Sequence, residues 1–274
     1  MKNKLFFNVM AAAAAVVLLA GGFAFAAKTV TIKGSTTVLP IAQASAEIFM
    51  NQHSDIDISV QGGGSGVGIA SVIDGTADIG ASSRPAKDKE YVMAKENGVE
   101  LHENVVALDG IAVIVHPDNP VSGLSKDQIK DIYTGKISNW SEVGGKKGKI
   151  VVVSRDSASG TFETFNDLAL DKEKVRPDSL LQASNQAVAQ TVSRTKGAIG
   201  YVGMGYLSDA VKGVNVNGIE PAVQNVVDGS YILARKLFMY TDGKPRGAVA
   251  EYLNFVQSGD GQKIVEKQGF ITFK

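Results

Sequence analysis

The chain has 274 residues, balances 28 basic against 28 acidic side chains and contains no cysteine. That length holds one large domain or two of ordinary size. The charge balance argues against nucleic acid or an anionic membrane as partner, and without thiols the fold must be held by burial rather than by disulfides.

The first residues read as a secretory signal. Lys2 and Lys4 make a basic start, an apolar stretch covers residues 6–20, and Ala24-Phe25-Ala26 is a small-residue cleavage site placing the mature start at Ala27. A retained membrane anchor is the alternative, but the stretch is short and Ala-rich for a span. No Cys follows it, which excludes a lipid-anchored form. An exported, periplasmic protein is expected. Cleavage after Ala26 leaves 248 residues with 26 basic against 28 acidic groups.

Strand-like and helix-like segments then alternate, the pattern of a parallel α/β sheet. Residues 30–33 read as a strand and 38–51 as a helix, followed by strand 56–60, helix 66–73, strand 77–80 and a charged helix 86–96 with Gly98 as its stop. Residues 105–115 read as a buried strand interrupted at Asp109-Gly110. His116-Pro117-Asp118-Asn119-Pro120 breaks the pattern, and a crossover is expected there. Ser125-Lys126-Asp127-Gln128 resembles a capping box for a helix ending near Gly135. Strand 150–153, helices 161–169 and 186–194, strands 198–202 and 237–240, and helices 248–257 and 262–267 complete the pass. The expected architecture is two α/β lobes, each a mostly parallel sheet flanked by helices. Residues 27–115 with 230–274 form the first lobe and 116–229 the second.

Four short loops rich in glycine and hydroxyl groups end strands and open helices: Gly34-Ser35-Thr36-Thr37, Gly62-Gly63-Gly64-Ser65-Gly66, Ala81-Ser82-Ser83-Arg84 and Arg155-Asp156-Ser157-Ala158-Ser159-Gly160-Thr161. Glycine permits close backbone approach, a helix start leaves amides unpaired, and Ser or Thr adds a hydroxyl. Each loop alone is compatible with an ordinary helix cap. Together, at the carboxyl ends of strands, they could line a pocket for a small oxyanion. Thr36, Thr37, Ser65, Ser83, Ser159 and Thr161 offer hydroxyls, Gly66 and Gly160 offer amides, and Arg155 offers a charged fork. The glycine run is no nucleotide P-loop, because no Gly-Lys-Ser/Thr follows.

Gly34-Ser35-Thr36-Thr37-Val38-Leu39-Pro40, Gln61 to Gly66, Gly80-Ala81-Ser82-Ser83-Arg84-Pro85 and Arg155-(x)3-Ser159-Gly160-Thr161 occur in the order seen in the phosphate-binding proteins of high-affinity phosphate ABC transporters. Ile129-(x)2-Ile132-Tyr133-Thr134-Gly135 and Ile137-(x)2-Trp140 extend the similarity over the mature chain. The resemblance implies two lobes closing on inorganic phosphate like a hinged trap, and delivery to a membrane permease driven by an ATPase. By position it assigns contacts to Thr36, Thr37, Ser65, Arg155, Ser159, Gly160 and Thr161. A monomer without cofactor or metal is expected.

One departure stands out. Familiar members carry an Asp in the third loop, where this chain has Ser83 and then Arg84. That Asp accepts the phosphate proton and helps reject sulfate. Asp109, a carboxylate within an apolar strand, is the candidate substitute, with a structural capping or pairing role as the alternative. Asp156 is a second acceptor or an orienting group for Arg155. Arg84 is a ligand contact, a lobe-bridging ion pair or a surface charge. The other readings are a receptor for sulfate or a metal oxyanion, a surface adhesin or signalling module on the same fold, and a phosphatase or serine hydrolase. Against catalysis, no Gly-x-Ser-x-Gly elbow is present, and His53, His102 and His116 share no motif with a candidate serine.

Overall fold

The computed structural model describes residues 28–273, so the signal segment and its cleavage site lie outside the described residues. The chain runs β1 (Lys28–Gly34), α1 (Leu39–Gln52), β2 (Ile56–Gly62), α2 (Ser65–Ile73), β3 (Ile79–Ser82), α3 (Asp88–Glu96) and the 15-residue β4 (Leu101–Val115). There follow β5 (Gly123–Leu124), α4 (Lys126–Thr134), β6 (Val151–Arg155), α5 (Gly160–Ala169), β7 (Leu180–Gln182), α6 (Asn185–Arg194), β8 (Ala198–Gly203), β9 (Lys212–Val216) and α7 (Val223–Val227). The chain closes with β10 (Ala234–Asp242), α8 (Gly247–Gln257) and α9 (Gly259–Lys267).

Local chemistry accounts for these boundaries. Ser125 accepts the Gln128 amide at 3.0 Å while the Gln128 side chain accepts the Ser125 amide at 2.9 Å, closing the expected capping box on α4. Gly135 ends that helix in the left-handed region at φ 91°.

The strands lie in the order β2-β1-β3-β10-β4-β8-β6-β7, with β9 also pairing β4 and β5 pairing β9. The β1, β2, β3 ladders and the β6, β7, β8 ladders are parallel, whereas β10 and β4 run antiparallel to their neighbours. Apolar residues form two main cores along this sheet. One gathers Val30, Ile32, Ile41, Phe49, Val106, Leu237 and Tyr252, with α1, α8 and α9 on one face. A smaller cluster of Ile69, Val72, Ala94 and Tyr240 covers the other face under α2 and α3. The second main core gathers Ile111 to Val115, Ile129, Tyr133, Phe165, Val192 and Tyr201, with the Phe165 and Tyr201 rings stacked at 4.0 Å.

The architecture is thus two α/β lobes. β4 differs from expectation, because it passes through Asp109-Gly110 without interruption. The carboxylate is tolerated because Arg235, directly opposite on β10, and the Met204 amide satisfy it.

Candidate functional site

Each of β1, β2, β3 and β6 ends in one of the four loops, and each loop opens a helix, α1, α2, α3 or α5. Gly34 holds φ 135° where a Cβ would lie 2.8 Å from the Gly68 Cα, so the first loop packs against α2 only as glycine. In that loop, Thr36 Oγ1 and Thr37 Oγ1 each accept from Asn185 Nδ2 at 3.0 Å. Thr37 Oγ1 also lies 2.9 Å from Thr161 Oγ1 at the start of α5, and Tyr206 donates to the Thr36 carbonyl. The Ser65 hydroxyl accepts the Ser83 amide at 2.9 Å and sits 3.2 Å from the Ser83 hydroxyl. Loops one, two and three therefore meet the Arg155 loop face to face.

The Arg155 loop is fixed from both ends. Ser159 caps α5 by accepting the Phe162 amide at 3.1 Å. Arg155 donates through Nε to the Gln182 carbonyl at 2.9 Å and through Nη2 to the Ala183 carbonyl at 3.0 Å, while its buried Nη1 has no protein partner. Burial lowers the Arg155 pKa, with the Tyr201 and Asp156 charges opposing that shift, yet a guanidinium keeps its proton throughout the working range. Gly160 faces Ser65 and Ser83 so closely that a Cβ there would lie 2.8 Å from the Ser65 Cβ and 2.9 Å from the Ser83 Oγ.

Thr36, Thr37, Ser65, Ser83, Asp109, Arg155, Ser159 and Thr161 are all at most 6% exposed. Any hydrogen bond they made to a charged group would act in a low-dielectric environment, where such bonds are strongest.

Four candidates make well-defined contacts within the protein. The Gly66 amide donates to the Ala158 carbonyl at 3.0 Å, so it joins two loops. Asp156 accepts the Ala158 amide at 2.9 Å and shapes its own loop; it makes no ion pair with Arg155. Arg84 bridges: its fork meets Glu90 at 2.8 and 2.7 Å, and its Nε lies 2.7 Å from Glu163 on α5. Asp109 is completely buried, with Oδ2 accepting from Arg235 Nε at 2.9 Å and Nη2 at 2.7 Å, and Oδ1 accepting the Met204 amide at 3.0 Å. Burial raises its pKa, and the Arg235 charge and hydrogen bonds draw it back. Arg235 Nη2 links it to the Thr37 hydroxyl, which lies 3.3 Å from the same nitrogen.

Arg235 and Asn185 escaped the sequence reading. Arg235 Nη2 reaches Thr37 Oγ1 and its Nη1 reaches the Ser83 carbonyl, both at 3.3 Å, so it ties the first and third loops to β10. A signal was present: Arg235 alternates in phase with the apolar Leu237 and Met239, which puts a cation on a core-facing position. Asn185 opens α6 and carries no motif. Arg155 and Arg235 set against Asp109 leave one excess positive charge at the site, suited to an anion. Among the described residues no group of three or more His, Cys, Asp or Glu could hold a metal.

The PBP superfamily domain matches residues 22–260. The phosphate-binding protein PstS of Bacillus subtilis is 40% identical over 248 residues, spanning 90% of this chain and 81% of that protein. The chain belongs to the PstS family of phosphate-binding proteins. PstS of Borreliella burgdorferi is 32% identical over 90% of this chain and 91% of its own length. A Clostridium perfringens structure assigned as a phosphate ABC transporter substrate-binding protein, with bound phosphate, superposes with a TM-score of 0.84 at 37% identity. It covers 90% of this chain and all of that one. An ABC-type phosphate transport receptor from Vibrio cholerae gives 0.73 at 31% identity, covering 89% and 99%.

Proposed function

We propose that this chain captures inorganic phosphate between its lobes and hands it to an ABC-type permease, without catalysing a reaction. The observation that carries this reading is the meeting of buried hydroxyls from the four loops, Thr37 with Thr161 and Ser65 with Ser83, with a buried, unpartnered Nη1 on Arg155 of the fourth loop. A tetrahedral oxyanion offers the acceptors that these donors need, and each hydrogen bond to it contributes about 1.5–3 kcal/mol. Family membership supports phosphate as the ligand, an exported location and a transport role. Thr36, Thr37, Ser65, Ser83, Arg155, Ser159, Gly160 and Thr161 form the binding set. Arg235 joins them, and Asp109 holds Arg235 in place.

The phosphate proton is accepted by a hydroxyl oxygen of the Ser65–Ser83 pair, since hydroxyls accept as well as donate. The lobes divide at Gly110–Ile111 and again at Leu233–Ala234, rather than after Val115. Two features support this division: Ile111 to Val115 pack in the second core, and the Ile111 amide bonds the Leu233 carbonyl at 2.8 Å. The protein acts as a monomer.

Titration calorimetry of Arg155→Ala with inorganic phosphate tests the site. Affinity is expected to fall roughly tenfold to a hundredfold, the loss of one charged hydrogen bond. Unchanged binding would remove Arg155 from the site. Efficient competition by excess sulfate would overturn the choice of phosphate.

A further inference from the structure

We infer that Glu163 is the closure clasp of the cleft, a positioning residue that sets how long a bound phosphate is retained. This rests on the phosphate reading above. Glu163 lies in the first turn of α5, four residues after the Ser159 cap, and so belongs to the lobe that carries Arg155. Its partners belong to the other lobe. Arg84 Nε lies 2.7 Å and Lys87 Nζ 2.6 Å from Glu163 Oε2. Thr164, the next residue, sends its hydroxyl 3.5 Å to the Ser83 carbonyl, so the contact runs alongside the anion loops.

The two ends of this clasp are prepared differently. Arg84 is held by two hydrogen bonds to Glu90 within its own lobe, and it also donates to the Pro85 carbonyl at 2.8 Å. Glu90 in turn accepts the Lys87 amide at 2.7 Å, fixing the start of α3. The guanidinium is thus already oriented when the lobes part, and little side-chain entropy is lost on closure. Glu163 near the N-terminus of α5 keeps a favourable helix-dipole partner in either state. Arg84 Nε and Glu163 Oε2 meet as a close ion pair without hydrogen-bond geometry, a charge contact that needs the two lobes to be together. With Arg84 at 6% and Glu163 at 17% side-chain exposure, the pair is shielded enough to escape full screening.

Such a contact exists only when the cleft is shut. Removing it therefore accelerates phosphate release and leaves capture by the open form unchanged. The test is rapid filtration of radiolabelled phosphate: association on mixing, and release on chase with excess unlabelled phosphate. For Glu163→Gln the release rate is expected to rise about tenfold with the association rate unchanged, the size of one charged contact. The dependence of release on added salt is expected to flatten, and melting without phosphate to stay as in the wild type. Lys87→Met, which spares the buried Arg84–Glu90 pair, is expected to give a smaller rise and decides the matter if Glu163→Gln fails to fold. Glu173→Gln, whose ion pairs to Lys130 and Lys136 lie within one lobe, is the silent control. Unchanged release in both clasp variants, or a loss confined to association, overturns the proposal. If Arg155→Ala still abolishes tight binding in that case, the clasp alone is wrong. If Arg155→Ala also binds normally, the phosphate site itself is misplaced.

Discussion

Gly160→Ala isolates lobe closure from folding. The added methyl would stand 2.8 Å from the Ser65 Cβ and 2.9 Å from the Ser83 Oγ, besides meeting the Ser65 hydroxyl. The hydroxyls can rotate aside, but the Ser65 Cβ sits at the start of α2 and moves only with that helix. Overpacking of this kind costs about 1–3 kcal/mol. The clash falls on the closed form alone, because Gly160 and Ser65 lie on opposite sides of the cleft. The cost therefore appears as a lower population of the competent state and weakens apparent phosphate affinity roughly 5- to 150-fold. Within its own lobe the change favours α5, since alanine exceeds glycine by up to about 1 kcal/mol in helices. Calorimetric titration should show the weaker binding, while thermal melting without phosphate stays equal or rises slightly. Normal affinity in the variant would refute the reasoning, as would a lowered phosphate-free melting temperature accompanying the loss.

Two further expectations concern charge. Asp109→Ala leaves Arg235 buried without its partner, a loss of about 3–5 kcal/mol, which for a chain of this size lowers the melting temperature by roughly 6–20 °C. Scanning calorimetry measures it; partial recovery in Asp109→Ala/Arg235→Met is expected, and an unshifted single variant would show that the pair is not needed. Glu90 gives a pH signature. Burial alone would raise its pKa, but the Arg84 hydrogen bond, the Lys87 amide and nearby cations prevail and lower it from 4.5. A carboxyl depressed on folding stabilises the fold above its unfolded value and loses that contribution as pH falls through the folded one. The urea stability gap between wild type and Glu90→Gln should be full at neutral pH and close below about pH 4.5. A gap that persists in acid would contradict the assignment.

What the sequence made legible was local. The Ser125 box, the Gly135 stop and the four loops depend on residues within a few positions of one another, and all lie at element boundaries as expected. The exposed three-residue β7 (Leu180–Gln182) shows no alternation to detect, and β9 mixes Gly213 and Asn215 with its valines. Asp109 reads as a break because its partner is 126 positions away. Separation along the chain likewise hides the contact of Arg84 with Glu163, which sits on α5 in the other lobe. Asn185 is a single polar residue at a helix start until the fold brings Thr36 and Thr37 to it.

The uninterrupted β4 changes how motion between the lobes should be pictured. Val106 and Ala107 are rooted in one core and Ile111 to Val115 in the other, with β10 laddered alongside from Ala234 onward. Separating the lobes must flex this ribbon, because no slack loop is interposed along β4. A ribbon behaves as a leaf spring, with a rest curvature and a stiffness. Its compliance concentrates where the ribbon passes from one core to the other, at Gly110–Ile111 on β4 and at Leu233–Ala234 beside it. Substitutions there would retune the amplitude and frequency of gaping from a distance, with every anion contact left intact.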